Sequence, residues 1–323
     1  MKTELYPLKF TPIVKSKVWG GEKLKTVLKK NTTFQNTGES WELSAVEKSI
    51  SVVANGALAG ENLLDLVAHY GRDLVGDKVA DRYGDAFPLL FKFIDAKENL
   101  SIQLHPDDNL AKKRHNSLGK TEMWYVMQAD ENAGIYVGFT EGVTRDDYLT
   151  HLEKGDLEKL MNFERVRPGD VFFIKPGLVH SIGKGVLLAE IQQSSDITYR
   201  VFDWNRLGQD GQPRELHTQL ALDAIDFVSD EAKINYTDTV NTPQVLVRNH
   251  YFTTRKIKLK GSLSRHYKNA DSFRVVMCVE GRLEIHSPEG ELRLTKGETA
   301  LIPACLQEIN LTSTLAELLE ITI

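Results

Sequence analysis

Two polar side chains interrupt an apolar run at residues 101–108, where the sequence is S-I-Q-L-H-P-D-D. Gln103 and His105 are two positions apart, so in an extended strand both side chains point to the same face. The preceding run, F-P-L-L-F-K-F-I-D-A, is typical of a buried strand, and Pro106 ends the ladder after it. The pair could bind a metal ion or a sugar. Taken alone, it also fits hydrogen-bonded polar residues at the mouth of a barrel.

Two further segments add donors of the same kind. Glu122 opens the apolar strand E-M-W-Y-V-M, where a carboxylate is either a solvated strand end or a ligand. His180 follows the turn of P-G-L-V-H-S-I-G directly after a predicted strand. With the first pair, these residues form a mixed nitrogen and oxygen set suited to one Zn²⁺ or another borderline divalent ion: Gln103, His105, Glu122 and His180.

A third polar segment, residues 189–204, follows the second histidine. Glu190 lies on a predicted strand, and alternating positions of the next segment carry Asp196, Thr198 and Arg200. A salt bridge to a neighbouring aspartate would explain Arg200 by itself. However, several polar side chains lie close together in this segment, beside the predicted metal site. Such a cluster favours a role in substrate recognition.

Composition limits the class of protein. The chain has 323 residues, of which 41% are hydrophobic and 26% charged, enough to bury a full core in one large domain or two smaller ones. A net charge of -5 provides no basic field for nucleic acid or anionic lipid. No signal peptide or membrane span is visible, and two cysteines are too few for a disulfide framework. We expect a cytoplasmic protein, monomeric or weakly dimeric, that binds neither nucleic acid nor membrane.

The local pattern predicts a mainly β protein. Short apolar segments bounded by Gly, Pro, Asp and Asn predict strands at 40–45, 88–96, 122–127, 134–139, 170–174 and 186–193. Two helical insertions are predicted at residues 62–70 and 144–161, the second capped by Thr144. Many short strands with turns between them are typical of a sandwich or barrel.

A weak internal repeat divides the chain. Gly169 to His180 and Gly297 to Glu308 have equal length and the same order of Gly-acid, apolar strand and Pro turn. The repeat predicts a duplicated small β-barrel in which only the first copy kept the histidine. We place the domain boundary near residue 235.

Four motifs in this order resemble the type I phosphomannose isomerases. They are F-K-F-I-D-A-K-E-N-L-S-I-Q-L-H-P-D-D, G-K-T-E-M-W-Y-V, P-G-L-V-H-S-I-G and A-E-I-Q-Q-S-S-D-I-T-Y-R-V-F-D-W-N-R. These are cupin-fold zinc enzymes that interconvert mannose 6-phosphate and fructose 6-phosphate. The resemblance implies two cupin-like β-barrels, or jelly rolls, with short helical insertions: a catalytic cupin domain at 1–235 and a degenerate second cupin at 236–323. Without a large helical domain between its motifs, the chain looks similar to the short bacterial form.

The resemblance also implies roles for individual residues. Zinc would be held by Gln103, His105, Glu122 and His180, and Arg200 would be the arginine of the catalytic site. Further active-site positions are Lys92, Ser101, Lys120 and Glu190, and we expect wall residues at Trp19, Trp41 and Glu42. Ile182 stands where some relatives carry Tyr, so contacts of that ring do not carry over.

The implied reaction moves a proton between two adjacent carbons through an enediolate. The metal and Arg200 would stabilise the negative charge that develops on the two oxygens. The base would be Glu190, a metal-bound water, or Lys120 if desolvation lowers its pKa. Lys92, Lys120 and Ser101 would bind the phosphate.

The alternative is a cupin that binds a sugar without turnover, or one that acts on another small molecule with iron. Gln103 in the ligand set argues against redox iron.

Overall fold

The structure is a computed structural model, and it describes residues 3–228, 231–267 and 271–323. The chain is mainly β, as predicted. Two predicted strands have the expected bounds, Gly134–Phe139 and Val186–Gln193, because each is an apolar segment closed on both sides by turn residues. No helix within the described ranges is long and apolar enough to cross a membrane.

The strands of the first part of the chain are short. In chain order they are β1 (Leu8–Lys9), β2 (Ile13–Gly21), β3 (Thr37–Leu43), β4 (Ala45–Val46), β5 (Ser49–Ile50), β6 (Leu89–Ala96), β7 (Ile102–Leu104) and β8 (Glu122–Ala129). They continue with β9 (Gly134–Phe139), β10 (Met161–Arg165), β11 (Val171–Ile174), β12 (His180–Ile182), β13 (Val186–Gln193), β14 (Tyr199–Phe202) and β15 (Lys233–Ile234).

Two antiparallel sheets enclose the first core. The first, which we call sheet I, has the order β15-β11-β8-β13-β6-β2-β3, and the second, sheet II, has the order β10-β9-β12-β7-β14. One hydrophobic cluster contains Trp124 and Ile94 of sheet I together with Ile135 and Ile182 of sheet II. The sheets therefore pack face to face, and polar residues on their facing sides share one interior.

Short helices lie between the strands. They are α1 (Lys23–Thr26), α2 (Leu63–Tyr70), α3 (Arg72–Val75), α4 (Asp77–Tyr83), α5 (Asp108–His115), α6 (Arg145–Lys154) and α7 (Thr218–Leu222), with 3₁₀ turns at Gly56–Leu58 and Leu157–Leu160. The predicted helix at 62–70 is α2. Thr144 caps α6 in a reciprocal capping box with Asp147, as expected. The helix ends earlier than predicted because Gly155 adopts a left-handed conformation (φ 69°).

The last part of the chain forms a third sheet. Its strands are β16 (Gln244–Arg248), β17 (Thr253–His266), β18 (Arg274–Ser287), β19 (Gly290–Thr295), β20 (Thr299–Ile302) and β21 (Glu308–Thr322), in the order β1-β20-β18-β21-β17-β16 with β19 beside β18. The predicted boundary near residue 235 falls between β15 and β16, and we keep it as a proposal. The N-terminal strand β1 pairs across it with β20.

The repeated segments have the same local structure. Gly169 and Gly297 both have positive φ (93° and 89°), and after each glycine one acidic residue precedes a four-residue strand. His180 then begins β12, and Glu308 begins β21. The sequence repeat therefore corresponds to a repeated strand and turn.

Candidate metal centre and substrate cavity

Three predicted ligands meet in the interior between sheets I and II. His105 directly follows β7, Glu122 begins β8 and His180 begins β12. Their candidate ligand atoms lie within 4.8 Å of one another, and all three residues are buried. Glu122 Oε2 is 3.6 Å from His105 Nε2, and Glu122 Oε1 is 3.5 Å from His180 Nε2. Two imidazoles and one carboxylate at these distances can hold a divalent metal ion.

Backbone carbonyls orient both imidazole rings. His105 Nδ1 lies 2.9 Å from the carbonyl oxygen of Ile197, and His180 Nδ1 lies 2.8 Å from that of Leu178. A carbonyl only accepts hydrogen bonds, so Nδ1 of each ring carries the proton. Each Nε2 therefore presents its lone pair to the centre of the group, the arrangement in which histidine binds metal.

Two buried atoms of this group have no hydrogen-bond partner among the described residues. They are Glu122 Oε1 and His180 Nε2, which face each other. An unsatisfied buried polar atom costs roughly 1–3 kcal/mol, and a cation between these two atoms would satisfy both. The donors present thus fit a metal ion.

The charge states of the group also suit a cation. Burial, with a smaller effect of His105, lowers the pKa of His180 to about 3, so its ring is neutral at pH 7. Burial opposes ionisation of Glu122, but Lys120 and His105 hold its pKa well below the usual range. Lys120 Nζ lies 3.0 Å from His105 Nε2 and contacts Glu122 Oε2. A neutral imidazole and an ionised carboxylate are the forms that bind metal.

Gln103 lies beside this group in sheet II. It pairs with His180 of β12 on one side and with Arg200 of β14 on the other. Residues directly opposite one another in a sheet point to the same face, so these three side chains form one row. Gln103 Oε1 accepts a hydrogen bond of 3.0 Å from Ser101 Oγ.

A matching row crosses sheet I and faces the same cavity. Glu190 of β13 lies between Trp124 of β8 and Lys92 of β6, and Lys92 pairs with Trp41 of β3. Lys92 Nζ donates to Glu190 Oε1 at 3.0 Å, and Trp124 Nε1 donates to Oε2 at 2.9 Å. Both carboxylate oxygens are therefore fixed at the cavity wall.

The cavity between the two rows has a volume of about 310 Å³ and an excess of positive charge. Among the described residues, six cationic side chains line it: Lys15, Lys17, Lys92, Lys120, Arg200 and Arg214. Three carboxylates do so: Glu39, Glu190 and Asp196. Burial alone would lower the pKa of Lys92, but the neighbouring carboxylates of Glu190 and Glu39 raise it above its ordinary value. An anionic ligand fits this wall.

Most predicted site residues lie at the cavity or the metal group. The cavity is lined by Trp19, Trp41, Lys92, Ser101, Gln103, Lys120, His180, Glu190 and Arg200, and Ile182 also contributes to its wall. Glu42 is a correction, because its side chain does not reach the cavity. Strand alternation directs Glu39 and Trp41 inward and Glu42 to the opposite face. There, Glu42 accepts hydrogen bonds from Lys30 Nζ (2.7 Å) and Ser40 Oγ (2.6 Å).

Several cavity residues were missed at the level of sequence. Lys15, Lys17 and Trp19 alternate along K-S-K-V-W of β2, a period that could have placed both lysines beside the predicted wall tryptophan. Glu39 could have been found in the same way from its spacing to Trp41. Arg214 lies in an irregular loop, where no periodic signal indicates its direction.

Comparisons with known proteins agree with this geometry. A family model described as "Phosphomannose isomerase type I, catalytic domain" matches residues 7–135, and one described as "Mannose-6-phosphate isomerase, cupin domain" matches residues 242–319. Mannose-6-phosphate isomerase ManA of Bacillus subtilis (strain 168) is 37% identical over 319 residues, 96% of each chain. Mannose-6-phosphate isomerase of Streptococcus mutans is 34% identical over 301 residues, 92% of each chain.

A solved structure shares the whole fold. The crystal structure of mannose 6-phosphate isomerase from Bacillus subtilis matches with a TM-score of 0.89 and 32% sequence identity, covering 99% of this chain and 100% of that one. The similarity extends over 96% of the chain in sequence and 99% in structure. The chain belongs to the type I phosphomannose isomerase family.

Proposed function

We propose that the protein is a metal-dependent aldose–ketose isomerase that interconverts mannose 6-phosphate and fructose 6-phosphate through an enediolate. The observation that carries the proposal is the buried group of His105, Glu122 and His180 beside a cationic cavity. The substrate comes from the names of full-length relatives and is consistent with the charge of the cavity wall.

Four residues would hold one Zn²⁺ per chain. The donors of His105, Glu122 and His180 converge, and Gln103 shares the row of His180. Two nitrogen and two oxygen donors form a set that Zn²⁺ accepts. When bound, the ion would supply electrophilic stabilisation to the negative charge that develops on two adjacent sugar oxygens.

Arg200 and Lys120 would stabilise the same charge from the protein side. Arg200 pairs with Gln103 and lines the cavity, and its buried Nε has no hydrogen-bond partner among the described residues. The guanidinium of Arg200 would donate to a sugar oxygen from the cavity wall. Lys120 Nζ lies at the boundary between the metal group and the cavity, where it can donate to the other oxygen.

Glu190 would carry the proton between the two carbons. Its carboxylate faces the cavity, and hydrogen bonds from Lys92 and Trp124 keep both oxygens in one orientation. A carboxylate fixed at the wall of the cavity has the geometry that a general base needs. Lys92 and Ser101 would contact the sugar, and Trp19 and Trp41 would form the wall along it.

We further propose a cytoplasmic location and a monomer or weak homodimer. Both cysteines are free, Cys278 buried and Cys305 exposed, as a reducing compartment allows. The net charge of -5 argues against nucleic-acid or anionic-membrane partners.

The test is an assay of the purified protein on mannose 6-phosphate in D₂O, with fructose 6-phosphate measured as product. An enediolate pathway with an exchanging base predicts product with solvent deuterium at the carbon that receives the proton. Glucose 6-phosphate, which differs at one carbon centre, serves as the specificity control. Binding of mannose 6-phosphate without product would replace the proposal with a non-catalytic sugar-binding cupin.

A further inference from the structure

Arg214 reaches the cavity from the loop between β14 and α7. Its side chain lines the cavity that Arg200 also lines. Asp203 holds the guanidinium of Arg214 by two hydrogen bonds, from Nε to Oδ2 at 2.6 Å and from Nη2 to Oδ1 at 2.5 Å. These bonds leave Nη1 without a hydrogen-bond partner in the described part of the chain. The guanidinium is thus fixed on one side and available to a ligand on the other.

Asp203 itself is buried and lies outside the cavity lining. It also binds Arg206, which donates to Oδ1 from Nε at 3.1 Å and from Nη2 at 2.8 Å. Arg206 Nη1 donates to the carbonyl oxygen of Asn99, and Arg206 is absent from the cavity lining of the described chain. One carboxylate therefore supports two arginines, of which only Arg214 faces the cavity.

The net charge of the side chains around Asp203 is positive. Arg200, Arg206 and Arg214 lie close enough to Asp203 to interact with it, so three guanidinium groups share one buried carboxylate. Burial and the neighbouring Arg214 lower the pKa of Arg200, while Asp203 opposes this effect. A dianionic group placed here would relieve the repulsion between the two cavity arginines.

Two other cavity cations already have carboxylate partners that face the site. Lys17 Nζ lies 3.3 Å from Glu39, Lys92 Nζ lies 3.0 Å from Glu190, and both carboxylates line the cavity. A phosphate near these lysines would meet a carboxylate as well. Asp203, the carboxylate partner of Arg214, lies outside the cavity lining. The electrostatic repulsion between a bound phosphate and the partner carboxylate is therefore weaker at Arg214.

The loop that carries Arg214 is also attached across the cavity. Gln209 Nε2 donates to Ser16 Oγ at 2.7 Å, which joins the loop to β2 between the cavity residues Lys15 and Lys17. The arginine is therefore carried on a segment that contacts sheet I as well as β14.

We propose that Arg214 binds the phosphate group of the substrate and that Asp203 is the residue that positions its guanidinium. The inference rests on the proposed function, which supplies a sugar phosphate as the ligand. The planar fork of arginine matches two phosphate oxygens, and a carboxylate behind it limits its rotation. This assignment places the phosphate contact at Arg214 rather than at the paired Lys92 and Lys120.

The experiment compares steady-state kinetics of metal-loaded wild type, Arg214→Gln, Arg214→Lys, Asp203→Asn and Arg206→Gln. We expect Arg214→Gln to raise KM for mannose 6-phosphate by about 10-fold or more and to change kcat far less. The inhibition constant of inorganic phosphate should rise in parallel. Asp203→Asn and Arg214→Lys should shift both values in the same direction by less. Arg206→Gln is the matched control. It removes the other arginine that donates to Asp203, and it should leave KM unchanged.

Failure of this inference is distinguishable from failure of the proposed function. An active wild type whose KM and phosphate inhibition are unchanged in Arg214→Gln would overturn the assignment, as would an equal effect of Arg206→Gln. If wild type has no isomerase activity, calorimetric titration with inorganic phosphate still decides: binding in wild type and its loss in Arg214→Gln supports the site, and any other result rejects it. Thermal melting verifies that each variant folds. If Arg214→Gln does not fold, Arg214→Lys takes its place in the comparison.

Discussion

Glu122 Oε1 and His180 Nε2 face each other across 3.5 Å in the protein interior, and neither atom has a hydrogen-bond partner within residues that the structure describes. Backbone carbonyls fix the other nitrogen of each histidine in the group. The polypeptide therefore positions donors whose lone pairs converge on one point, and a cation at that point removes the cost of burying them.

Glu122→Gln should abolish stable metal binding. The amide keeps the shape of the side chain but removes the charge that two neutral imidazoles require for tight binding, so occupancy should fall from about one ion per chain to background. Elemental analysis after gel filtration measures it. The matched control is Glu164→Gln on the exposed part of β10, which should keep full occupancy. Full occupancy in Glu122→Gln would remove that residue from the ligand set.

Arg200→Ala should keep the metal and lose turnover. Its guanidinium lines the cavity as the proposed donor to developing charge, and loss of one such donor typically lowers kcat by roughly 10²-fold or more. Parallel measurement of kcat and metal content separates the two roles. Wild-type kcat in this variant would show that Arg200 is not a catalytic residue.

Glu190→Gln and Glu39→Gln remove two carboxylates of the same cavity and should differ in effect. Glu190 is the proposed base, so its amide variant should lose kcat by about 10²-fold or more and lose deuterium exchange at the substrate carbon. Glu39 is held by Lys17 and by the Trp41 N–H, and its variant should retain exchange. The opposite ranking would assign the base to Glu39.

Acid should weaken the stabilising contribution of Glu39. Burial opposes ionisation, but Lys17, Lys92 and Trp41 lower the pKa of Glu39 from 4.5 to about 2. The folded protein then binds fewer protons than the unfolded chain between these values, so the contribution is complete above pH 4.5 and declines as pH falls towards 2. The difference in unfolding free energy between wild type and Glu39→Gln should therefore shrink on acidification, as measured by urea titrations.

Glu42 provides a control of opposite sign. Burial raises the pKa of Glu42 despite its pairing with Lys30. Its contribution is therefore present at low pH and declines as pH rises through the folded-state pKa. The difference in unfolding free energy between wild type and Glu42→Gln should grow on acidification. The same trend for both variants would contradict the assignment of their environments.

Strand periodicity accounts for much of what could be predicted from sequence. Gln103 and His105 were predicted to share a face because they are two residues apart, and the structure places His105 in the metal group and Gln103 at the cavity. Periodicity does not reveal which face of an amphipathic strand turns inward where both faces carry polar residues. Both faces of β3 are buried and carry a glutamate, Glu39 on one and Glu42 on the other. Glu42 was misplaced although its position next to the wall residue Trp41 already put it on the face away from the cavity.

Other features depend on contacts between distant parts of the chain. The short helix α3 has no period of its own and is stabilised by burial of Leu74 and Val75 in a core that includes Phe273. The position of Arg214 depends on Asp203 and on the attachment of its loop to Ser16. Such contacts between irregular segments leave no local signal in the sequence.

Metal removal and return tests the central claim most directly. The purified protein is assayed on mannose 6-phosphate before chelation, after chelation with its zinc content measured, and after addition of Zn²⁺. The account predicts about one zinc per chain at the start, no turnover in the metal-free protein, and recovery in proportion to the zinc that is bound. Undiminished turnover in protein shown to contain no metal would contradict it.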